Sequence, residues 1–149
     1  MPQKRSLIIK KLKTYISEQI VHTLNRFDLP LNEFSLSPPK QDDFGDLSTN
    51  VAMTLARAIK KPPLEIAKNI QKDLLENDLD NIKKITVTPP GFINFIVHPS
   101  FYQNKIKSII KDSENFGKDN IGKGKSANVE FVSANPTGPL TIGHGRNAV

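Results

Sequence analysis

The sequence predicts an α+β fold in which about four helices accompany a small antiparallel sheet, followed by the beginning of a second domain. Four segments have apolar residues at steps of three and four, which is the spacing of amphipathic helices. Between residues 82 and 98, β-branched and aromatic residues flank a Pro-Pro-Gly break. Six of the eight glycines follow Phe116. We therefore expect residues 1–115 to form an N-terminal domain, 116–127 a linker, and 128–149 the start of another domain.

The first two predicted helices both end at prolines. The first lies between residues 7 and 27 and stops before Pro30, because proline cannot continue a helix. Its apolar stripe consists of Leu12, Tyr15, Ile16, Ile20, Leu24 and Phe27. The second helix is predicted to begin near Ser48, with Ser48 or Asp46 as its cap, and to end at Lys60-Lys61.

The remaining elements of the first domain are two helices and two strands. Pro63 suits the first turn of a third helix, and a fourth helix is predicted over about 100–115. The strands flank the break at 89–91, and such a pair separated by a tight turn is typically antiparallel. The apolar strand residues are Ile85, Val87, Phe92, Ile93, Phe95, Ile96 and Val97.

The C-terminal segment has the pattern of a strand, a glycine-rich loop and the first turn of a helix. Val129, Phe131 and Val132 predict a short buried strand, and Gly143-His144-Gly145 lies where the helix begins. Such a loop can bind an anion, because unpaired backbone N–H groups and the positive end of the helix dipole point at it. His144 can donate to a phosphate oxygen. The alternative is an ordinary turn with His144 as a helix-start residue.

Composition narrows the function classes. Lysine and arginine exceed the acids by 21 to 15, giving a net charge of +6 and a pI of about 9.6, which favours a polyanionic partner such as nucleic acid. Five basic residues precede Glu18, although a merely solvated helix face would have the same pattern. The absence of cysteine and the three scattered histidines predict no disulfide and no protein-bound metal. No apolar run is long enough for a membrane segment, and the lack of cysteine fits a reducing, cytoplasmic setting. A mitochondrial presequence is the lesser alternative for the basic N-terminus.

Three segments resemble one enzyme family. Residues 129–149, VEFVSANPTGPLTIGHGRNAV, closely resemble the first active-site segment of arginyl-tRNA synthetases. Residues 42–52, DDFGDLSTNVA, and 89–95, PPGFINF, are similar to that family's appended N-terminal domain, which contacts the outer corner of tRNA near the D-loop. The resemblance implies that 128–149 begin a class I catalytic domain of Rossmann type that is incomplete in this chain.

The resemblance also implies a reaction and its site. Arginine would attack the α-phosphorus of ATP, and the arginyl group would then move to the 3′ end of tRNA. The implied catalytic residues are His144, Thr141 and Gly143, and the implied arginine-binding residues are Glu130, Ser133 and Asn135. The implied ATP motif comprises Ala134, Asn135, Pro136, Thr137, Gly138, Pro139, Leu140, Thr141, Ile142, Gly143 and His144. Thr141 replaces the usual first histidine of the His-x-Gly-His motif.

The implied tRNA-binding residues are Phe92 and Asn94, which lie two apart in a strand and therefore share a face, with Phe95 pointing inward. An aromatic ring beside an amide could hold an unstacked base; core packing of Phe92 is the alternative. The implied partners are tRNA(Arg), L-arginine and ATP with Mg²⁺, in a monomeric enzyme of which this chain alone is inactive. A free-standing tRNA-binding module is the main alternative, and a small nucleotidyltransferase a weaker one.

Overall fold

The computed structural model describes most of the chain, in two compact units. The units comprise residues 1–117 and 118–149. The first unit has helices and an antiparallel sheet, which confirms the predicted α+β class. None of the helices in the described part is long and apolar enough to cross a membrane. The structure describes residues 3–116, 118, 122–128 and 138–148.

Four helices belong to the first unit, each close to its predicted position. They are α1 (Gln3–Arg26), α2 (Val51–Ile59), α3 (Pro63–Glu76) and α4 (Pro99–Asp112). Pro63 occupies the first turn of α3, where its missing N–H would have no helical partner in any case. Helix α4 ends three residues earlier than expected, because residues 113–115 continue as a short 3₁₀ turn.

The sheet has four strands, although only two were expected. They are β1 (Leu36–Ser37), β2 (Leu47–Thr49), β3 (Ile82–Thr88) and β4 (Phe92–Val97), in the order β1-β2-β4-β3. Strands β3 and β4 pair antiparallel, as predicted. The prediction that Ser48 caps α2 is wrong, because Ser48 lies in β2 opposite Asn94. Asn50 precedes the helix instead.

One face of the sheet forms the core with α1, α2 and α3. Side chains alternate along β4, so Ile93, Phe95 and Val97 lie on this face, and all three are buried. The stripe predicted on α1 supplies Leu12, Ile16, Ile20 and Leu24, also buried. Helices α2 and α3 add Val51, Ala52, Leu55, Ile66, Ala67, Ile70 and Leu74. Burial of this apolar surface is the main stabilising term of the domain.

A buried carboxylate links α1 to α3 within this core. Asp73 is only 5% exposed and accepts hydrogen bonds from the Thr23 hydroxyl and the Arg26 guanidinium, both at 2.7 Å. Asn77 Nδ2 donates to the Asp73 backbone oxygen at 2.8 Å. A buried charge is tolerated only when it is paired and hydrogen-bonded, and Asp73 meets this condition.

Asp46 has a different role from the predicted helix cap. One carboxylate oxygen accepts from the Val97 backbone N–H at 2.8 Å and the other from the Tyr102 hydroxyl at 2.9 Å. The prediction failed because both partners lie more than 50 residues further along the chain. Asp46 therefore holds the end of β4 and the start of α4 next to the loop before β2.

Candidate nucleic-acid interface and anion loop

The second face of the sheet is polar and crosses all four strands. The register places Ser37 opposite Ser48, Ser48 opposite Asn94, and Asn94 opposite Thr86. We call these four residues the polar row. Hydroxyl and amide groups of this kind can hydrogen-bond bases, sugars and phosphates, which makes this face the candidate interface. Ser37 is exposed and Thr86 half-buried, whereas Ser48 and Asn94 are buried.

Phe92 is the accessible aromatic residue of this face. Its side chain is 38% exposed, and it lies opposite Thr88, two residues along β4 from Asn94 of the polar row. Phe95 directly follows Asn94 and therefore points to the opposite face of the sheet, where it is fully buried in the core, as expected. An exposed ring at the end of a strand is available for stacking with an unpaired base.

Asn94 is placed differently from the sequence-based picture. It shares the face of Phe92, but it is only 1% exposed, and its Nδ2 donates to Thr88 Oγ1 at 3.0 Å. The expectation of an open amide beside the ring is therefore corrected. Asn94 is buried because it occupies the central strand, with neighbours on both β2 and β3. Its contact with tRNA stays a prediction.

Acidic residues lie near the other end of this face. Asp42, Asp43 and Asp46 border a cleft of about 490 Å³ that also contains Ile96. Carboxylates repel phosphates, so this cleft is a poor place for a nucleic-acid backbone. The electrostatics therefore favour contact at the Phe92 end.

Helix α1 provides a basic surface that is separate from the sheet face. Lys10 and Lys11 are exposed, and Lys10 and Lys13 border a shallow groove of about 470 Å³ with Glu18 and His22. The side chains of residues 3–9 lie outside the described part of the chain. This lysine-bearing groove is compatible with phosphate contacts and equally with a solvated face.

The candidate anion loop precedes the short helix α5 (Ile142–Ala148) of the second unit. Thr141 N–H donates to His144 Nδ1 at 2.9 Å, and Thr141 Oγ1 lies 3.1 Å from the same nitrogen. The Thr141 carbonyl accepts from the backbone N–H groups of His144 and Gly145. The side chain of the third helical residue reaches back to the N–H of the residue that precedes the helix, which is one half of a capping box.

This arrangement sets the tautomer of His144. A nitrogen that accepts from a backbone N–H carries no proton, so in the neutral ring the proton is on Nε2. Nε2–H is then the donor that the ring can direct at an anion. An added Cβ at Gly143 would meet only Thr141 Oγ1, at an ordinary contact distance of 3.5 Å, so the local packing of the loop does not itself require glycine there.

The family of this chain follows from its first domain. Residues 10–97 match the family described as arginyl tRNA synthetase N terminal domain. This chain belongs to that family. The match covers α1 from Lys10, all four strands, α2 and α3, and it includes Phe92 and Asn94.

Relatives of this arginyl-tRNA synthetase N-terminal domain are much longer proteins. The chain is 44% identical over 120 residues to the arginine–tRNA ligase of Prosthecochloris aestuarii, covering 80% of this chain and 22% of the relative. It is 43% identical over 140 residues to that of Bartonella quintana, covering 94% and 24%. For the Thermotoga maritima ligase the identity is 43% over 117 residues, covering 78% and 21%. The chain therefore spans about a quarter of the curated relatives it matches.

Several predicted site residues lie outside the described part of the synthetase-family chain. They are Glu130, Ser133, Ala134, Asn135, Pro136 and Thr137. The arginine-binding set and the first half of the ATP motif therefore stay predictions. Gly138, Pro139 and Leu140 are described and exposed.

Sequence reasoning missed most of the polar row. Ser37, Ser48, Thr86 and Thr88 share a face with Phe92, but β1 and β2 have only two and three residues. Strands this short have no visible alternation. The one available signal was the polar alternation of Thr86 and Thr88 with Ile85 and Val87 in β3.

Proposed function

We propose that this chain is the N-terminal part of an arginine–tRNA ligase, which joins L-arginine to its tRNA with ATP as the energy source. The observation that carries the proposal is the family match across the whole sheet domain, together with relatives that bear this name. In this proposal residues 1–115 form the domain that binds tRNA, and residues 128–149 begin a Rossmann-type catalytic domain. Residues 116–127 are the linker between the two.

The tRNA contact would be made by the second face of the sheet at its Phe92 end. Phe92 would stack on an unpaired base at the D-loop corner of tRNA(Arg), and Thr88 would keep the Asn94 amide in a fixed orientation through their 3.0 Å hydrogen bond. Lysines of α1 would contact phosphates, so affinity would fall steeply with salt. The acidic cleft near Ile96 would keep the phosphate backbone away from the other end.

The catalytic contribution of this chain would come from the loop before α5. His144 Nε2–H would donate to the ATP phosphates as negative charge develops, while Thr141 holds the ring through Nδ1. Gly143 would leave room for the nucleotide. Glu130 would face the guanidinium of arginine, and Ser133 and Asn135 its amino and carboxylate groups.

The remaining expectations belong to the same proposal. Mg²⁺ would enter with ATP, and we assign it no residue, since the described residues contain no cluster of three or more histidine or acidic side chains suited to a metal. The enzyme would work as a monomer in the cytoplasm. This chain alone would be inactive, because most of the catalytic domain lies in the other three quarters of the relatives.

The interface is tested by binding of a tRNA(Arg) transcript to the 149-residue chain. Phe92→Ala should weaken binding about 5- to 150-fold, since stacking of one base on an aromatic ring contributes ~1–3 kcal/mol. Phe44→Ala is the matched control: Phe44 is 37% exposed, against 38% for Phe92, but lies on the acidic 3₁₀ turn. Equal affinities of the two variants, or affinity independent of salt, would contradict the proposed surface.

The enzyme is tested with the product of the complete reading frame. That protein should attach arginine to tRNA, whereas the 149-residue chain should show no arginine-dependent ATP–pyrophosphate exchange. Exchange by the short chain would refute its predicted inactivity. A reading frame that ended at Val149, with tRNA binding intact, would favour the free-standing module over the synthetase.

A further inference from the structure

Helix α4 has an apolar stripe that the first domain leaves uncovered. Ile106 is 56% exposed and Ile110 is 72% exposed, while Ile109 is half-buried. Positions 106, 109 and 110 share one helix face, because residues three and four apart are neighbours on a helix. We call these three residues the α4 stripe.

Only the first turn of α4 is attached to the rest of the domain by the contacts described. The His98 backbone N–H donates to the Asn81 carbonyl at 2.7 Å, Phe101 is buried in the core, and the Tyr102 hydroxyl donates to Asp46. From Gln103 to Asp112 no residue is buried. A helix of 14 residues that lacks packing along most of its length is marginal in water. The exposed turns therefore need a partner to be stable.

The boundaries of the family match separate α4 from the matched domain. The match ends at residue 97, and α4 begins at Pro99. The Bartonella quintana alignment nevertheless covers 94% of this chain, so it continues through α4, and that relative is about four times longer than the aligned region. A helix placed between this domain and a long further polypeptide is well positioned to contact both.

We infer that the α4 stripe docks on the catalytic portion of the same polypeptide, in the part that in the relatives lies beyond the region matched by this chain. This inference rests on the proposed function. The chemistry of α4 specifies the receiving surface: Lys107 lies beside the stripe on one side and Lys105 on the other, while α4 has one acid, Asp112. The partner surface is therefore an apolar patch bordered by carboxylates.

Hydrogen exchange tests this docking in the product of the complete reading frame. Backbone amides of residues 104–112 should exchange at least tenfold more slowly there than in the 149-residue chain, because a docked helix opens less often. Equal exchange in the two proteins would overturn the inference.

Two variants of the complete protein separate docking from general stability. Ile106→Asp places a charge in the stripe and should return α4 to the fast exchange of the short chain. Asn104→Asp, an exposed position on the opposite side of α4, is the matched control and should leave the protection unchanged. Slow exchange at β4 in both variants verifies that the sheet domain remains folded. If the α4 amides remain protected from exchange in Ile106→Asp, the α4 stripe is not the contact.

The main alternative is that a second copy of the chain, rather than the catalytic portion, covers the α4 stripe. Sedimentation of the 149-residue chain tests this alternative. A concentration-dependent dimer that Ile106→Asp abolishes would show that the stripe is a dimer contact and would overturn the intramolecular docking. A measurement of arginylation by the same complete protein distinguishes a failure of this inference from a failure of the proposed function. An active ligase with an unprotected α4 would overturn the docking alone, and an inactive protein with a protected α4 would overturn the function alone.

Discussion

Removal of the Asp73 carboxylate is the sharpest test of how α1 and α3 are held together. In Asp73→Ala the Thr23 hydroxyl, in a residue only 1% exposed, loses the acceptor that lies 2.7 Å away. An unsatisfied buried hydroxyl costs ~1–3 kcal/mol. The Arg26 side chain is 52% exposed and can return to water, so its lost ion pair adds at most ~1 kcal/mol.

The expected loss is therefore about 2–3 kcal/mol of unfolding free energy. Urea titration of the 149-residue chain, followed by far-UV circular dichroism, should show a midpoint lower by about 1–2 M at the denaturant sensitivity typical of small domains. Glu76→Ala, an exposed acid of the same helix, is the control and should change the free energy by less than ~0.5 kcal/mol.

A double-mutant cycle identifies the source of the loss. In Thr23→Val/Asp73→Ala no hydroxyl is left without an acceptor, so the double variant should be less destabilised than the sum of the two single variants. A loss below ~0.5 kcal/mol for Asp73→Ala would refute the argument that this cluster stabilises the contact between α1 and α3. Strict additivity would show that the Thr23 hydroxyl finds another acceptor.

Three further predictions concern the centre of the sheet, a glycine and the anion loop. Phe95→Ala should lower the unfolding free energy by ~3–5 kcal/mol in urea titration, because the fully buried ring would leave a cavity; a loss under ~1 kcal/mol would contradict its central place. Gly45→Ala should cost more than ~1 kcal/mol, since φ is +101° and the new Cβ would lie 2.9 Å from the Phe95 carbonyl oxygen. Gly124→Ala, with a positive φ but no neighbour, should cost less in the same titration. Thr141→His in the complete protein should leave ATP–pyrophosphate exchange similar or higher, because its backbone N–H still reaches His144 Nδ1; a large loss would give the threonine hydroxyl a role of its own.

The long elements of this fold could be predicted from the sequence because each repeats its pattern several times. The stripe of α1 runs through about four turns, and Ile85, Val87, Ile93 and Phe95 alternate on both sides of the Pro-Pro-Gly break. Strands β1 and β2 could not be predicted, since they are stabilised by pairing with distant residues rather than by local preference.

The candidate interface was predictable in part. Alternation alone places Phe92 and Asn94 on the same face, and it also places Phe95 inward. It does not predict that Asn94 is buried, because this depends on Ser48 and Thr86 in the adjacent strands. Likewise Asp46 looked like a local cap, whereas its carboxylate binds Val97 and Tyr102.

Strand order has a consequence for how this domain folds during synthesis. Strand β4 lies between β2 and β3 but is the last of the four along the chain. A nascent chain that ends before Phe92 therefore contains α1, α2 and α3 with their apolar faces, yet lacks the strand that covers them. The two-residue β1 gives β2 little to pair with alone. The domain must complete its core in one late step, and a chain truncated before β4 would expose an aggregation-prone surface rather than form a smaller domain.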